Sequence, residues 1–316
     1  MRELRVMQAG LGSLGLERVQ IVGDRATLQM PFLEHDLMGL AMARVRFDVH
    51  ETWLLFREIV AQIGRLHSKG LVHRDIKSSN VLVGRVGQPH VVDFGHCVSE
   101  SRVSAFSQCG TMIYLAPELL LSRVTKKSHA YANKGDMWSL GCLLAELLLG
   151  FPLFLRCKTP LDMAKAFEMF FGEHKFADRL RCALSASNSL LSKTSRKVSV
   201  RQLILRKSPD ADTCLLDLLE KLLSPDPESR PSCEEVLELL QKSDEFWRDS
   251  RKKVQVRLGK VEVNCHEHEV RKRLIAKKRK LGEKGKCKGK RDARDLARKA
   301  GCSGEESDVC LKRVKT

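Results

Sequence analysis

The sequence predicts an α+β fold that is mainly helical, with a small share of strand gathered into two short hairpins. Three observations carry this reading. Residues 16–32 alternate apolar and polar side chains around a Gly23-Asp24-Arg25 turn, the pattern of two antiparallel strands. Residues 81–92 (VLVGRVGQPHVV) read as strand, Gly/Pro turn and strand. The apolar residues that follow position 50 recur mostly at helical spacing.

Residues 51–67 place Trp53, Leu54, Phe56, Ile59, Val60, Ile63 and Leu66 in a helical stripe, and Gly70 stands where such a helix stops. Residues 136–149 form a second helix, terminated by Gly150 and Pro152. The apolar run 140–155 is too short for a bilayer and contains Glu146, so it predicts a buried helix and no membrane contact. Residues 159–171 predict a third helix, capped by Thr159, with Pro160 in its first turn and Gly172 behind it. Residues 215–223 and 233–242 close the helical part. The Ser- and Arg-rich stretch 180–209 has weak periodicity and reads as an irregular insert.

Charge divides the chain. The net charge is +17, yet residues 251–316 alone hold 23 Lys and Arg against 9 Asp and Glu, or +14, which leaves the first 250 residues near neutral. At 43% apolar residues the chain has ample material for a core. Eleven cysteines are scattered without a CxxC pair and no signal peptide precedes them, the pattern of reduced thiols. Cys265, His266 and His268 cluster tightly, but no second cysteine pair completes a zinc set, and the cluster reads as solvated tail.

Two segments carry the chemistry. HRDIKSSN (His73–Asn80) and VVDFGHC (Val91–Cys97) flank the 81–92 hairpin, which brings Asn80 and Asp93 to one end of a small sheet. Downstream stand GTMIYLAPE (Gly110–Glu118), DMWSLGCLLAELLLG (Asp136–Gly150) and SPDPESRPS (Ser224–Ser232). In this order the motifs resemble the eukaryotic protein kinases, of Ser/Thr type, over about residues 2–247. The FL-x-x-DL run at Phe32–Leu37 is most similar to the cyclin-dependent kinase-like group. Leu115, where that group carries an arginine, and His96 and Cys97 depart from its pattern.

The resemblance implies a protein-kinase fold. Residues 1–33 would be a remnant of the N-lobe and hinge, 34–247 the helical C-lobe, and 248–316 a basic, disordered tail. It implies ATP and Mg²⁺, with Asp75 accepting the substrate hydroxyl proton, Lys77 contacting the transferred phosphate, and Asn80 and Asp93 holding metal. Thr111 would join Asp75 and Lys77, which points to Ser/Thr specificity. Met30 would be the gatekeeper, the Pro31 carbonyl and Leu33 backbone would face the adenine edge, Asp36 would lie near the ribose, and Leu82 would form the floor under adenine. Asp136 would hold the HRD-loop backbone, Glu118 would pair with Arg230, and Arg74 would hold a phosphate on Ser104 or Ser107. His73 reads as a packing side chain.

Gly10-x-Gly12-x-x-Gly15 matches a phosphate-cradling loop, but the hinge follows too soon and no lysine stands before Lys69. The better register places residues 1–8 at the end of the kinase helix αC, with Glu3 as the glutamate of the Lys–Glu pair and the glycines as a plain loop. This predicts that the Gly-rich loop, the strand lysine and most of αC lie upstream, in a reading frame longer than this chain.

The expected function is phosphorylation of protein Ser/Thr hydroxyls by ATP, on protein substrates and with a cyclin-like activator. The alternative is a catalytically impaired pseudokinase that acts as a binding scaffold. The runs Arg271–Arg273 and Lys277–Lys280 resemble a nuclear localisation signal, so the nucleus is expected ahead of the cytoplasm. Nucleic-acid contact by the tail is the weaker reading, because no aromatics interleave for base stacking.

Overall fold

The structure, a computed structural model, describes residues 2–241 except 13, 23–24, 85–86, 101–108, 127–131, 173 and 186–197, and also residues 310–313. It begins with helix α1 (Arg2–Gln8), which buries Glu3, Leu4, Val6 and Met7. The chain turns at Gly10, whose φ of +68° suits a residue without Cβ, and enters β1 (Arg18–Val22). The Gly10–Gly15 loop thus joins a helix to a strand. β2 (Arg25–Met30) runs antiparallel to β1, Arg18 opposite Gln29 and Val22 opposite Arg25, while the Gly23–Asp24 turn lies outside the described residues. Leu28 and Met30 point into the core, whereas Ile21 and Val22 of β1 are 58% and 66% exposed.

After an extended stretch, β3 (His35–Asp36) leads straight into α2 (Leu37–Met42). Next comes α3 (Val49–His67), which starts on a capping box. Asp48 accepts from the Glu51 amide, and the Asp48 amide donates back to the Glu51 carboxylate. The α3 stripe is buried at Trp53, Phe56, Ile59, Val60, Ile63 and Leu66, but Leu55 takes the place expected of Leu54, which is half-buried.

Four short strands follow: β4 (Leu71–Val72), β5 (Val81–Val83), β6 (Pro89–Val91) and β7 (Val98–Ser99). They form a β3-β5-β6 sheet and a β4-β7 pair. Gln62, on the buried face of α3, satisfies β6. Its Nε2 donates to the Pro89 carbonyl at 2.7 Å and its Oε1 accepts from the Val91 amide at 2.8 Å.

The rest is helical: α4 (Pro117–Thr125), α5 (Ala132–Leu149), α6 (Pro160–Phe171), α7 (Lys175–Ser185), α8 (Val200–Lys207), α9 (Thr213–Leu222) and α10 (Cys233–Gln241). α5 is buried on every side from residue 135 to 149 and is the spine of the core, its few polar side chains (Asp136, Ser139, Glu146) each hydrogen-bonded within the fold. Its fully buried Trp138 meets Phe154 (stacked, 6.4 Å) and Phe167 (edge-on, 5.7 Å). Thr159 caps α6 through a reciprocal bond with Asp162. The stretch 180–209 is more regular than its composition predicts, holding the end of α7 and all of α8. Val200 and Ile204, one turn apart, are buried, and that short apolar pair anchors a helix otherwise rich in basic residues. In the tail, residues 310–313 form β8 (Cys310–Arg313) against β2. No helix among the described residues is long and apolar enough to cross a membrane.

Candidate active site

The loop between β4 and β5 is held from beneath by α5. Asp136, fully buried, accepts from the His73 amide (Oδ2, 2.8 Å) and the Arg74 amide (Oδ1, 2.8 Å). These bonds and the bond from His67 Nε2 at 2.9 Å keep its carboxyl below the ordinary range although burial alone would raise it. Arg74 sits at φ +66°, so the chain reverses sharply here and presents the next side chain, Asp75. His73 is fully buried, 5.4 Å from the Phe94 ring, and its Nδ1 accepts from the Asp75 amide at 3.3 Å; burial lowers its pKa, as suits a neutral packing ring.

Asp75 is the hub. Lys77 Nζ donates to its Oδ2 at 2.6 Å, and Thr111 Oγ1 donates to its Oδ1 at 2.9 Å. Lys77 Nζ also donates to Thr111 Oγ1 at 3.0 Å, which closes a three-membered ring of carboxylate, ammonium and hydroxyl. Burial pushes the Asp75 carboxyl up, but the Lys77 bond and charge, together with Thr111, bring it below its ordinary value. The group is therefore ionised at neutral pH and able to take a proton.

Asn80 donates from Nδ2 to the Asp75 carbonyl at 2.8 Å and to Asp75 Oδ2 at 3.2 Å. The atom it has left for a cation is the amide oxygen. The Asn80 carbonyl accepts from the Val92 amide at 2.9 Å, and β5 pairs with β6, Val81 opposite Val91. That ladder sets Asn80 and Asp93 at adjacent strand ends. Asp93 is in the left-handed region (φ 69°, ψ 66°), a turn that an unbranched polar residue tolerates. An amide oxygen and a carboxylate are hard oxygen donors, the kind that suits Mg²⁺.

Of the residues expected on the nucleotide side, Asp36 and Leu82 lie on the β3-β5 ladder, and Met30, Pro31 and Leu33 lie at and after the end of β2. Asp36 stands opposite Leu82, and Leu33 approaches Gly84 closely. Met30 is buried at the end of β2, and Pro31 is exposed. Asp36 also has a structural task that its sequence context did not reveal: its Oδ1 accepts from the Gly39 amide at 2.6 Å and caps α2. Glu3 is buried on α1, which packs against the Phe94–His96 turn. Arg74 is half-buried, not buried as an anion-demanding guanidinium would be, and its Nε donates to the His96 carbonyl at 2.8 Å. Ser104 and Ser107 lie outside the described residues.

Sequence reasoning missed a buried network below the loop. Tyr114 donates to Glu146 Oε2 at 2.6 Å and lies 3.1 Å from Ser78 Oγ, while Ser139 Oγ donates to the Tyr114 carbonyl at 2.8 Å. Burial pushes both the Tyr114 hydroxyl and the Glu146 carboxyl up. The signal was present, since a glutamate set in the apolar run 140–149 needs a partner.

Residues 16–240 match the protein kinase domain family, and the chain belongs to it. It is 31% identical over 222 residues to cyclin-dependent kinase C-2 of Oryza sativa subsp. japonica, a match covering 69% of this chain and 41% of that protein. It is 33% identical over 229 residues to serine/threonine-protein kinase ppk23 of Schizosaccharomyces pombe, covering 71% and 55%. The chain thus spans about half or less of these relatives. A crystal structure of the yeast RNA Pol II CTD kinase CTDK-1 complex shares the fold, with a TM-score of 0.63 at 23% identity, covering 75% of this chain and 78% of that one.

Proposed function

We propose that the protein transfers the γ-phosphoryl group of ATP to Ser or Thr hydroxyls of proteins. The observation that carries this reading is the Asp75–Lys77–Thr111 ring beside Asn80 and Asp93. Asp75, ionised, takes the proton of the attacking hydroxyl. Lys77 sets its charge beside that hydroxyl, where the transferred phosphoryl must pass, and Thr111 fixes the rotamer of the carboxylate. Mg²⁺, when bound, neutralises phosphate charge, and Asn80 and Asp93 are the residues to hold it. Met30, Pro31, Leu33, Asp36 and Leu82 line the nucleotide side. The relatives' names support a cyclin-dependent kinase-like assignment, and with it a cyclin-like activator.

Arg74 is the residue to receive a phosphate on Ser104 or Ser107, which would add about −1.5 to −2 charges and order the segment. Ser104→Ala/Ser107→Ala with undiminished activity sinks that switch. The basic runs 271–280 direct the chain to the nucleus in this reading, and an unchanged distribution of a fluorescent fusion lacking them refutes it. The central test is transfer of labelled γ-phosphate to a Ser/Thr peptide library by the parent and Asp75→Asn. Transfer by the parent that the variant loses supports the enzyme, whereas partner binding without transfer by either supports the pseudokinase scaffold.

A further inference from the structure

The sheet of β1 and β2 has a third strand from a distant part of the chain. β8 (Cys310–Arg313) pairs antiparallel with β2 on the edge that β1 leaves open, in the order β1-β2-β8. The register sets Met30 opposite Cys310 and Leu28 opposite Lys312. Directly opposed residues of an antiparallel pair stand on one face of the sheet, and the face alternates along each strand. Leu28 and Met30 are buried, so the positions of Cys310 and Lys312 belong to the core face, and those of Leu311 and Arg313 to the other. Leu4, Val6 and Met7 of α1 share one core cluster with Leu28 and Met30, so α1 lies on that face. The same helix carries the buried Glu3 and packs against the Phe94–His96 turn, next to Asp93.

A lysine position on a core face needs a reason, because an ammonium removed from water is costly unless anions meet it. Two kinds of anion belong to this side of the sheet: the Glu3 carboxylate and the phosphates of a nucleotide brought to Asn80 and Asp93. The local sequence agrees. Residues 309–312 read Val-Cys-Leu-Lys, the pattern of the V-A-I-K strand whose lysine pairs with the α- and β-phosphates and with the αC glutamate. In this chain no lysine precedes Lys69, and the Val-Cys-Leu-Lys run follows the helical lobe instead of leading into the sheet.

We propose that Lys312 is the phosphate-holding lysine of the nucleotide site, delivered by a strand that returns from beyond the helical lobe and inserts beside β2. The inference rests on the nucleotide reading given above and deepens it. It puts after the helical lobe a lysine expected upstream of Glu3, and it gives part of the basic tail a place in the site. The return is within reach, since residues 242–309 span on the order of 200 Å when extended, against roughly 30 Å for a small domain.

The test treats the full chain with an acyl-phosphate derivative of ATP, which acylates lysines beside the bound phosphates, and reads the labelled lysines by peptide mass spectrometry. Lys312 and Lys77 should both be labelled. Mg·ATP at about ten times its Kd should suppress both about tenfold and leave the exposed Lys158 and Lys221 unchanged. Protection of Lys77 without protection of Lys312 overturns the inference and keeps the nucleotide site, whereas protection of neither overturns both. A second arm needs no nucleotide. Deleting residues 309–316 should quicken amide hydrogen exchange in β2 about tenfold or more, with α3 as the control that the fold survives. Unchanged exchange in β2 overturns the inserted strand, and if the deletion unfolds the chain, the labelling of the parent decides alone.

Discussion

Glu118 and Arg230 form a bidentate pair across 112 residues of chain, Nη1 to Oε1 at 2.6 Å and Nη2 to Oε2 at 2.8 Å, with neither side chain exposed. Every part of the guanidinium is used: Nε donates to the Ser224 carbonyl, Nη1 also donates to the Lys134 carbonyl, and the plane lies 5.1 Å from the Trp138 ring. The pair ties the start of α4 to the segment ahead of α10. Its value lies in completeness, because a buried charge stripped of its partner is costly.

Removing one partner should therefore be severe. Arg230→Ala is expected to lose about 3–5 kcal/mol of stability, and Arg230→Lys should recover little because an ammonium cannot match the fork. A urea midpoint within about 0.5 kcal/mol of the parent at equal slope refutes this.

The Asp75 ring separates chemistry from binding. Asp75→Asn should lower kcat about 10²–10⁴-fold while leaving nucleotide affinity close to the parent. Thr111→Ala should cost less, about tenfold, since Lys77 still pairs with the carboxylate. Equal losses in the two variants contradict the proposed division of roles.

Asp93→Asn should weaken Mg·ATP binding about tenfold or more and leave metal-free ATP binding unchanged. Titration calorimetry with and without Mg²⁺ decides it, and equal Mg·ATP affinities remove the proposed metal site.

Stability should fall on the alkaline side through His67. Its folded value of about 10 lies above the ordinary 6.5, so its contribution is complete below about pH 6.5 and is lost as pH rises through 10. Asp75 and Asp136 are lowered in the fold, so theirs is complete above their ordinary 3.8 and is lost as pH falls further. Denaturation midpoints between pH 5 and 10 should decline at the upper end, and His67→Gln should flatten that decline. A parent profile flat to pH 10 refutes the linkage.

Much of this was legible in the order of residues because local periodicity and fixed motif spacing are chain properties. The period of two at 16–32 and 81–92 marked strands, the stripe from Trp53 to Leu66 marked α3, and Thr159-Pro160 marked the start of α6. α8 was obscured because two apolar residues among Arg and Lys make a helix only when a core stands ready to cover Val200 and Ile204. The cap that Asp36 places on α2 was likewise hidden, since carboxylates near a helix start serve caps and ligands alike.

By itself, then, the sequence determined α3, α5, α6, α9 and α10, the two hairpins, the family resemblance and, through it, the residues that stand beside Asp75. Only the tertiary structure decided pairings that no motif announced: Tyr114 with Glu146, Gln62 with the β6 backbone, and Cys233 with His67. The physical reason is that local pattern is set by bonds along the backbone, whereas these pairs exist only after the helices are buried. Burial removes the water that would otherwise satisfy each polar group, and leaves it to find a partner within the fold.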